Sequence, residues 1–190
     1  LKKRIQYQFK LLVGVLLIVG ISCDREPLVK TRYEPVGNRK SPISISSIMY
    51  ESTYIKVVYG QPYRNGRTIF GDWEPYGKVW RTGANEATEI TFREPVFIGG
   101  EAIDAGTYAL FTIPNPESWT IILNSQLGQW GAFEYDEDRD YYRFEVPVIQ
   151  LDSPTEAFTM SFSEVNLSIT TMSLAWDVVQ VDIPIRFYGE

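Results

Sequence analysis

At 190 residues, with 44% hydrophobic and 14% aromatic positions, the chain has apolar surface for one packed domain plus a tail, and too much for a disordered chain. Histidine is absent and cysteine occurs once, at Cys23, which excludes Ser-His-Asp triads, Cys-His dyads, His- or Cys-ligated zinc sites and any intramolecular disulfide. The formal charge is -6, and setting aside the first 22 residues, whose four cations Lys2, Lys3, Arg4 and Lys10 face no acid, lowers it to -10. Such an acidic chain repels phosphate backbones, so no nucleic acid is expected as a partner.

The chain opens with a basic segment, followed by the apolar or small run Leu11 to Ser22, LLVGVLLIVGIS, which stops at Cys23. This is the layout of a secretory signal peptide, and the run is shorter than the roughly 20 apolar residues of a transmembrane helix. Gly20-Ile21-Ser22-Cys23 resembles a lipobox of the looser kind found in Bacteroidota lipoproteins, with Gly20 where a leucine is usual. It implies cleavage before Cys23 and lipidation of that cysteine by palmitate-type chains. The expected organisation is a signal peptide over 1–22, a lipidated cysteine and polar tether over 23–41 containing Pro27, Pro35 and Gly37, and a folded domain over 42–190. The domain would then sit in the cell envelope, anchored to the outer or inner membrane, in the periplasm or at the cell surface.

From Ile43 onward the dominant signal is period-two alternation broken by Gly, Pro, Asn or Asp. Strands are expected at Ile43 to Ile48, Thr53 to Tyr59, Thr88 to Phe92, Gly106 to Ile113, Trp119 to Leu123 and Tyr142 to Gln150. Three more follow around Phe158 to Phe162, Thr171 to Trp176 and Val179 to Ile185, with Pro184 pointing to an edge position. Gly99-Gly100 and Pro114-Asn115-Pro116 read as hairpin turns. No amphipathic helix of useful length follows residue 23. About nine antiparallel strands predict an all-β domain, a two-sheet sandwich with jelly-roll-like connections.

Two stretches are too long for hairpin turns, Gly60 to Ala87 and Asn124 to Asp140, and long loops are where function concentrates. The first gathers Arg67, Asp72, Trp73, Trp80, Arg81, Asn85, Glu86 and Glu89 among small residues. Arginine forks suit carboxylates or phosphates and tryptophan faces stack on sugars or cations, so a ligand-binding surface is expected from Arg67, Asp72, Trp80, Arg81, Asn85 and Glu86, helped by Trp130 of the second loop. A purely structural alternative has Arg67 and Arg81 pairing with Asp72 and Glu86 while Trp73 and Trp80 plug the core. Catalysis would need carboxylates, with Asp72, Glu86 or Glu89 as general acid and base. Asp136, Asp138 and Asp140 alternate like oxygen ligands, but Tyr141 and Pro147 stand where a calcium loop wants Gly and Glu, so a solvated acidic turn is expected and no metal or cofactor.

The words YGQPYRNGRTIFGDWEPYGKVWRTGANEATEITF over Tyr59 to Phe92, DAGTYALFTIP over Asp104 to Pro114, Trp119-Thr120-Ile121-Ile122, Gln129-Trp130-Gly131-Ala132 and Ser173-Leu174-Ala175-Trp176 occur in one order. Together they resemble the bacterial domain of unknown function 2911 family over roughly Pro42 to Ile185, with Gly60-Gln61 in place of the usual Ser-Arg. The resemblance implies export and a β-rich fold, and brings no activity with it. The leading expectation is a non-enzymatic, lipid-anchored domain that binds a small molecule, a glycan or an envelope protein through the first loop. A carboxylate-dependent envelope hydrolase and a scaffold subunit of an envelope complex are the alternatives.

Overall fold

The computed structural model describes residues 39–188; the expected signal peptide over 1–22, Cys23 and most of the expected tether lie outside the described residues. The strands are β1 (Ile43–Tyr50), β2 (Thr53–Gly60), β3 (Thr88–Phe92), β4 (Val96–Ile98), β5 (Glu101–Ile103), β6 (Gly106–Ile113), β7 (Ser118–Asn124), β8 (Asp140–Phe162) and β9 (Ile169–Phe187). Hydrogen bonding runs without interruption through the order β1-β2-β3-β6-β7-β8-β9-β4-β5, antiparallel at every pair. Among the described residues the single helical turn is Glu137–Arg139.

Nine strands are present, but not the nine read from alternation. The β4–β5 hairpin, turning at Gly99-Gly100, is too short to register as a pattern. Conversely, two pairs of expected strands are each one long strand. In β9 the core side passes from Met172, Leu174 and Trp176 to Val179, Val181 and Ile183, a slip of one residue in the alternation. The slip falls at Asp177, whose backbone is left-handed (φ 53°) and where the pairing with β8 changes register. A bulge inserts one residue and so lets two runs of opposite phase face the same core.

Straight, the 23 residues of β8 would span about 75 Å. Instead β8 changes partner between Pro147, which lies opposite Ser118 of β7, and Val148, which lies opposite Val181 of β9. Pro184 likewise falls where β9 leaves β8 and before Ile185 meets Ile98 of β4. A proline lacks the N–H of a ladder, so it fits a change of partner. Pro184 therefore marks such a change in an interior strand, and not the sheet edge expected for it.

One apolar cluster draws on both ends of this strand order: Ile55 and Val57 of β2 and Ile121 of β7 share it with Phe158 of β8 and Leu174 and Ile183 of β9. Although β2 and β8 are not hydrogen-bonded neighbours, the Tyr59 and Phe158 rings meet at 5.6 Å, and the Met160 N–H donates to the Tyr59 hydroxyl at 3.1 Å. A smaller cluster of Ala87, Ala109, Phe111 and Ile122 is covered by the second long loop through Ala132 and Tyr135, the latter ring edge-on to Phe111 at 5.1 Å.

Candidate functional site

Between β2 and β3 the first loop is fastened to the bend region of β8 and β9. The Arg64 N–H donates to the Glu156 carbonyl at 2.7 Å and the Asn65 N–H to the Glu156 carboxylate at 2.8 Å. The buried Asp177 side chain accepts from the Ile69 N–H at 3.2 Å and pairs with the Arg64 guanidinium at 2.8 Å. Thus the residue that makes the β9 bulge also anchors the loop. Trp80 drives the middle of the loop into the core: it is 3% exposed, stacks on Trp176 at 5.9 Å, and meets Phe158 and Trp119 edge-on at 5.0 and 5.9 Å. Its ring faces are consumed by that packing, as the structural alternative for this residue anticipates. Trp73 is 57% exposed and lies under the Arg67 guanidinium, 4.0 Å from its ring centroid.

The turn after Trp80 is strained. Thr82, a β-branched residue, has φ 54°, and Asn85 has φ 65°. Hydrogen bonds hold it there: the Thr82 hydroxyl donates to Thr112 Oγ1 at 3.1 Å, and the Thr88 hydroxyl donates to the Thr82 carbonyl at 2.6 Å. The turn also lies against the end of β2, where the Ala84 N–H donates to the Gly60 carbonyl at 3.1 Å and a Cβ on Gly60 would fall 2.0 Å from the Ala84 oxygen. Gly60 is needed here for this close approach.

Fastened at one end and buried at Trp80, the loop leaves a pocket of about 480 Å³ between its arms. Arg67, Glu74, Arg81 and Asn85 line it with Lys40, and Tyr63, Trp73 and the edge of Trp176 supply aromatic surface. Arg67 is held in place, its guanidinium donating to the carbonyls of Arg64 at 2.9 Å and Tyr63 at 2.6 Å. Arg81 is different: its Nε is buried and, among the described residues, has no hydrogen-bond partner. Burial pushes the Glu74 carboxyl up to about 7, against the opposing pull of the Arg81 and Arg67 charges. Three cations and a half-ionised carboxyl thus share one cavity, of a size usual for small-molecule sites.

Of the residues expected from sequence, Arg67, Arg81 and Asn85 come together around this pocket. Asp72 is exposed on the loop beside it. Glu86 is ion-paired with Arg39, which replaces the partner the structural alternative gave it. Glu86 and Trp130 are opposed as a backbone bridge, flanked by bonds from the Ala87 N–H to the Gln129 carbonyl and from the Gly131 N–H to the Asn85 carbonyl. These tie the second loop to the first. Glu89 accepts from the Gly128 N–H at 3.1 Å. Glu74, Tyr63 and Lys40 line the pocket without standing out in the sequence: Glu74 is an acid like Asp72 two positions before it, and Lys40 precedes the first strand.

In the second loop Asp136, Glu137, Arg139 and Asp140 have local partners. Asp140 accepts from the Asn124 amide and the Tyr135 hydroxyl, both at 2.8 Å, and from Arg143, which also contacts Glu137. Burial, then the bond to Asp140, pushes the Tyr135 phenol well above its usual range. The Asp136 side chain accepts from the Asp138 N–H and caps the short helical turn.

A family model described as a protein of unknown function, DUF2911, matches residues 41–185. No curated protein and no solved structure matches the chain. The matched span covers β1 to the Ile185 end of β9, including both loops and the pocket. The chain therefore belongs to the DUF2911 family.

Proposed function

We propose that this protein is a lipid-anchored, envelope-located, non-enzymatic binding domain that holds a small molecule in the pocket of the first loop. The observation that carries the reading is Arg81, which lines a preformed cavity and whose side chain makes no hydrogen bond or ion pair among the described residues. A ligand acceptor placed on this guanidinium forms a charge-assisted hydrogen bond, which contributes about 1.5–3 kcal/mol. The strained Thr82 turn that carries this segment fits the same reading. For the scaffold, a two-sheet sandwich is the arrangement we favour: one sheet of β1, β2, β3, β6, β7 and the start of β8, facing the rest of β8 with β9, β4 and β5. The shared core of Tyr59, Trp119, Phe158 and Trp176 supports it.

Envelope location and the Bacteroidota-type lipoprotein assignment rest on the run from Leu11 to Ser22 ending at Cys23. Replacing Cys23→Ser should move the protein from the membrane to the soluble fraction; retention on the membrane contradicts lipid anchoring. For the pocket, a thermal-shift panel of sugars, organic acids, amino acids and nucleosides should yield stabilising compounds whose effect is lost in Arg81→Met. A panel with no response, or responses equal in the variant, defeats the binding reading.

A further inference from the structure

We infer that the pocket takes a sugar-sized polyol carrying one anionic group, a carboxylate or a phosphate, with the anion on Arg81 and Lys40 and the hydroxyls on Glu74 and Asn85. This inference rests on the binding reading above and gives its ligand class. Two features of the lining select the anion. Lys40, Arg67 and Arg81 place three positive charges on one cavity of a chain whose formal charge is -6, so the local sign is opposite to that of the whole. Their capacity is also unequally used: Arg67 spends donors on the Arg64 and Tyr63 carbonyls, while the Arg81 guanidinium in the lining is a donor with no hydrogen bond or ion pair among the described residues. A neutral ligand leaves that donor facing only partial charges. A cation meets three like charges.

The hydroxyl requirement comes from Glu74. An ionised carboxylate accepts only, so beside a bound anion it needs donors from the ligand, which a bare inorganic anion or a fatty acid does not carry. Its half-ionised state near neutral pH lets it also donate to a hydroxyl oxygen. Asn85, whose amide carries both donor and acceptor, suits the same groups. The aromatic wall points the same way, because Trp73 and Tyr63 remain 57% and 38% exposed at the rim and offer flat surface for the C–H face of a sugar ring. At about 480 Å³ the cavity fits one such ring, and a polymer would have to leave it.

The charged groups around Glu74 are Lys40, Arg67 and Arg81 in the lining, with the Arg64–Asp177 pair and Glu156 where the loop is fastened. Ionisation of Glu74 brings a negative charge into the cavity beside the bound anion. Affinity for a carboxylate ligand, whose own charge is constant over this range, should therefore fall as pH rises through about 7.

Titration calorimetry on the full chain with glucuronate, glucose 6-phosphate and glucose tests this. Glucuronate or glucose 6-phosphate should bind at least about tenfold more tightly than glucose, and Arg81→Met should lower that affinity about tenfold to a hundredfold, as expected for one charge-assisted hydrogen bond. Which of the two acids binds identifies the anion. Lys40→Ala, on an exposed side chain outside the core, should weaken the acids and leave glucose unchanged, which keeps the test open if Arg81→Met folds poorly. Glu74→Gln should flatten the pH dependence of glucuronate binding between about pH 5 and 8. Glucose binding as tightly as the acids, or acid binding indifferent to both cation variants, overturns the inference. If none of the three binds while other compounds of the thermal-shift panel act through Arg81, the ligand class is wrong and the binding reading stands; if the whole panel is silent, both fall.

Discussion

The two long loops carry similar residues and use them in opposite ways. In the 124–140 loop, Asp140 is satisfied at once by Asn124, Tyr135 and Arg143, and Tyr135 turns its ring onto Phe111, so charge and aromatic surface close the outer side of β6 and β7. In the 60–87 loop, Asp177 and Glu156 fasten the backbone, Trp80 is buried, and Arg81 and Glu74 are held around a cavity that Lys40 joins from before β1, with no hydrogen bond from the Arg81 side chain among the described residues. A cluster of charges with all its hydrogen bonds made within the fold is a fastening. One that is held apart by the fold is available to a ligand.

The contrast is sharpest where both loops are asked to lose a fastening. Trp80→Ala should have the largest effect on stability, about 3–5 kcal/mol, because it empties the space between Trp176, Phe158 and Trp119. Chemical denaturation measures it; a loss below about 1 kcal/mol would mean that the loop, and not the core, holds this ring. Asp140→Ala should follow at about 1–3 kcal/mol, since it leaves one N–H of the buried Asn124 amide without its acceptor and frees the Tyr135 hydroxyl. Equal stability of this variant and the parent would remove the second loop from the class of fastenings.

Much of this architecture is visible in the sequence and the remainder is hidden for definite reasons. Thr88–Phe92 is read to the residue because its alternation is uninterrupted, and Gly106–Ile113 because an apolar run with both faces buried lies between Gly106 and Pro114. The fusion of two runs into β9 is invisible, since a bulge at Asp177 looks in sequence like a strand ending and another of opposite phase beginning. The same kind of blindness separates the site residues. Arg67, Arg81 and Asn85 could be picked by type, but nothing local distinguishes exposed Asp72 from Glu74, two positions on, which enters the cavity. The difference is made by the backbone bonds between Glu74 and the Ile69–Gly71 segment, which fold the loop on itself. Trp80 and Trp73 are equally alike in sequence, and the pairing of Trp80 with Thr112 of β6 sends one inward.

Glu74 offers a way to sharpen the comparison through pH. Its carboxyl, ordinarily near 4.5, lies near 7 in the fold, so between those values the folded chain holds more protons than the unfolded one. Stability contributed by this group is complete below about pH 4.5 and is lost as pH rises to about 7. Glu74→Gln should match the parent near pH 4.5 and exceed it at pH 8 by on the order of 1–3 kcal/mol, the upper part of that range being reduced by partial solvent access. Denaturation midpoints across that interval are the measurement. Parallel curves for parent and variant would mean that Glu74 ionises as freely as a surface carboxylate, and the cavity would lose its titrating group.

The smallest effect is expected from Asp72→Ala, and it decides between binding and catalysis. Asp72 is exposed and lies outside the pocket lining, so its removal should change stability by less than about 0.5 kcal/mol and leave ligand affinity within about twofold. A hydrolase built on Asp72 with Glu86 or Glu89 requires the reverse, turnover that disappears in the variant while folding is intact. The other two acids are already engaged, Glu86 by Arg39 and Glu89 by the Gly128 N–H. Release of product from a fluorogenic glycoside by the parent, abolished by Asp72→Ala, would therefore transfer function from the cavity to the exposed arm of the loop; unchanged binding and no turnover in either protein keeps it with Arg81.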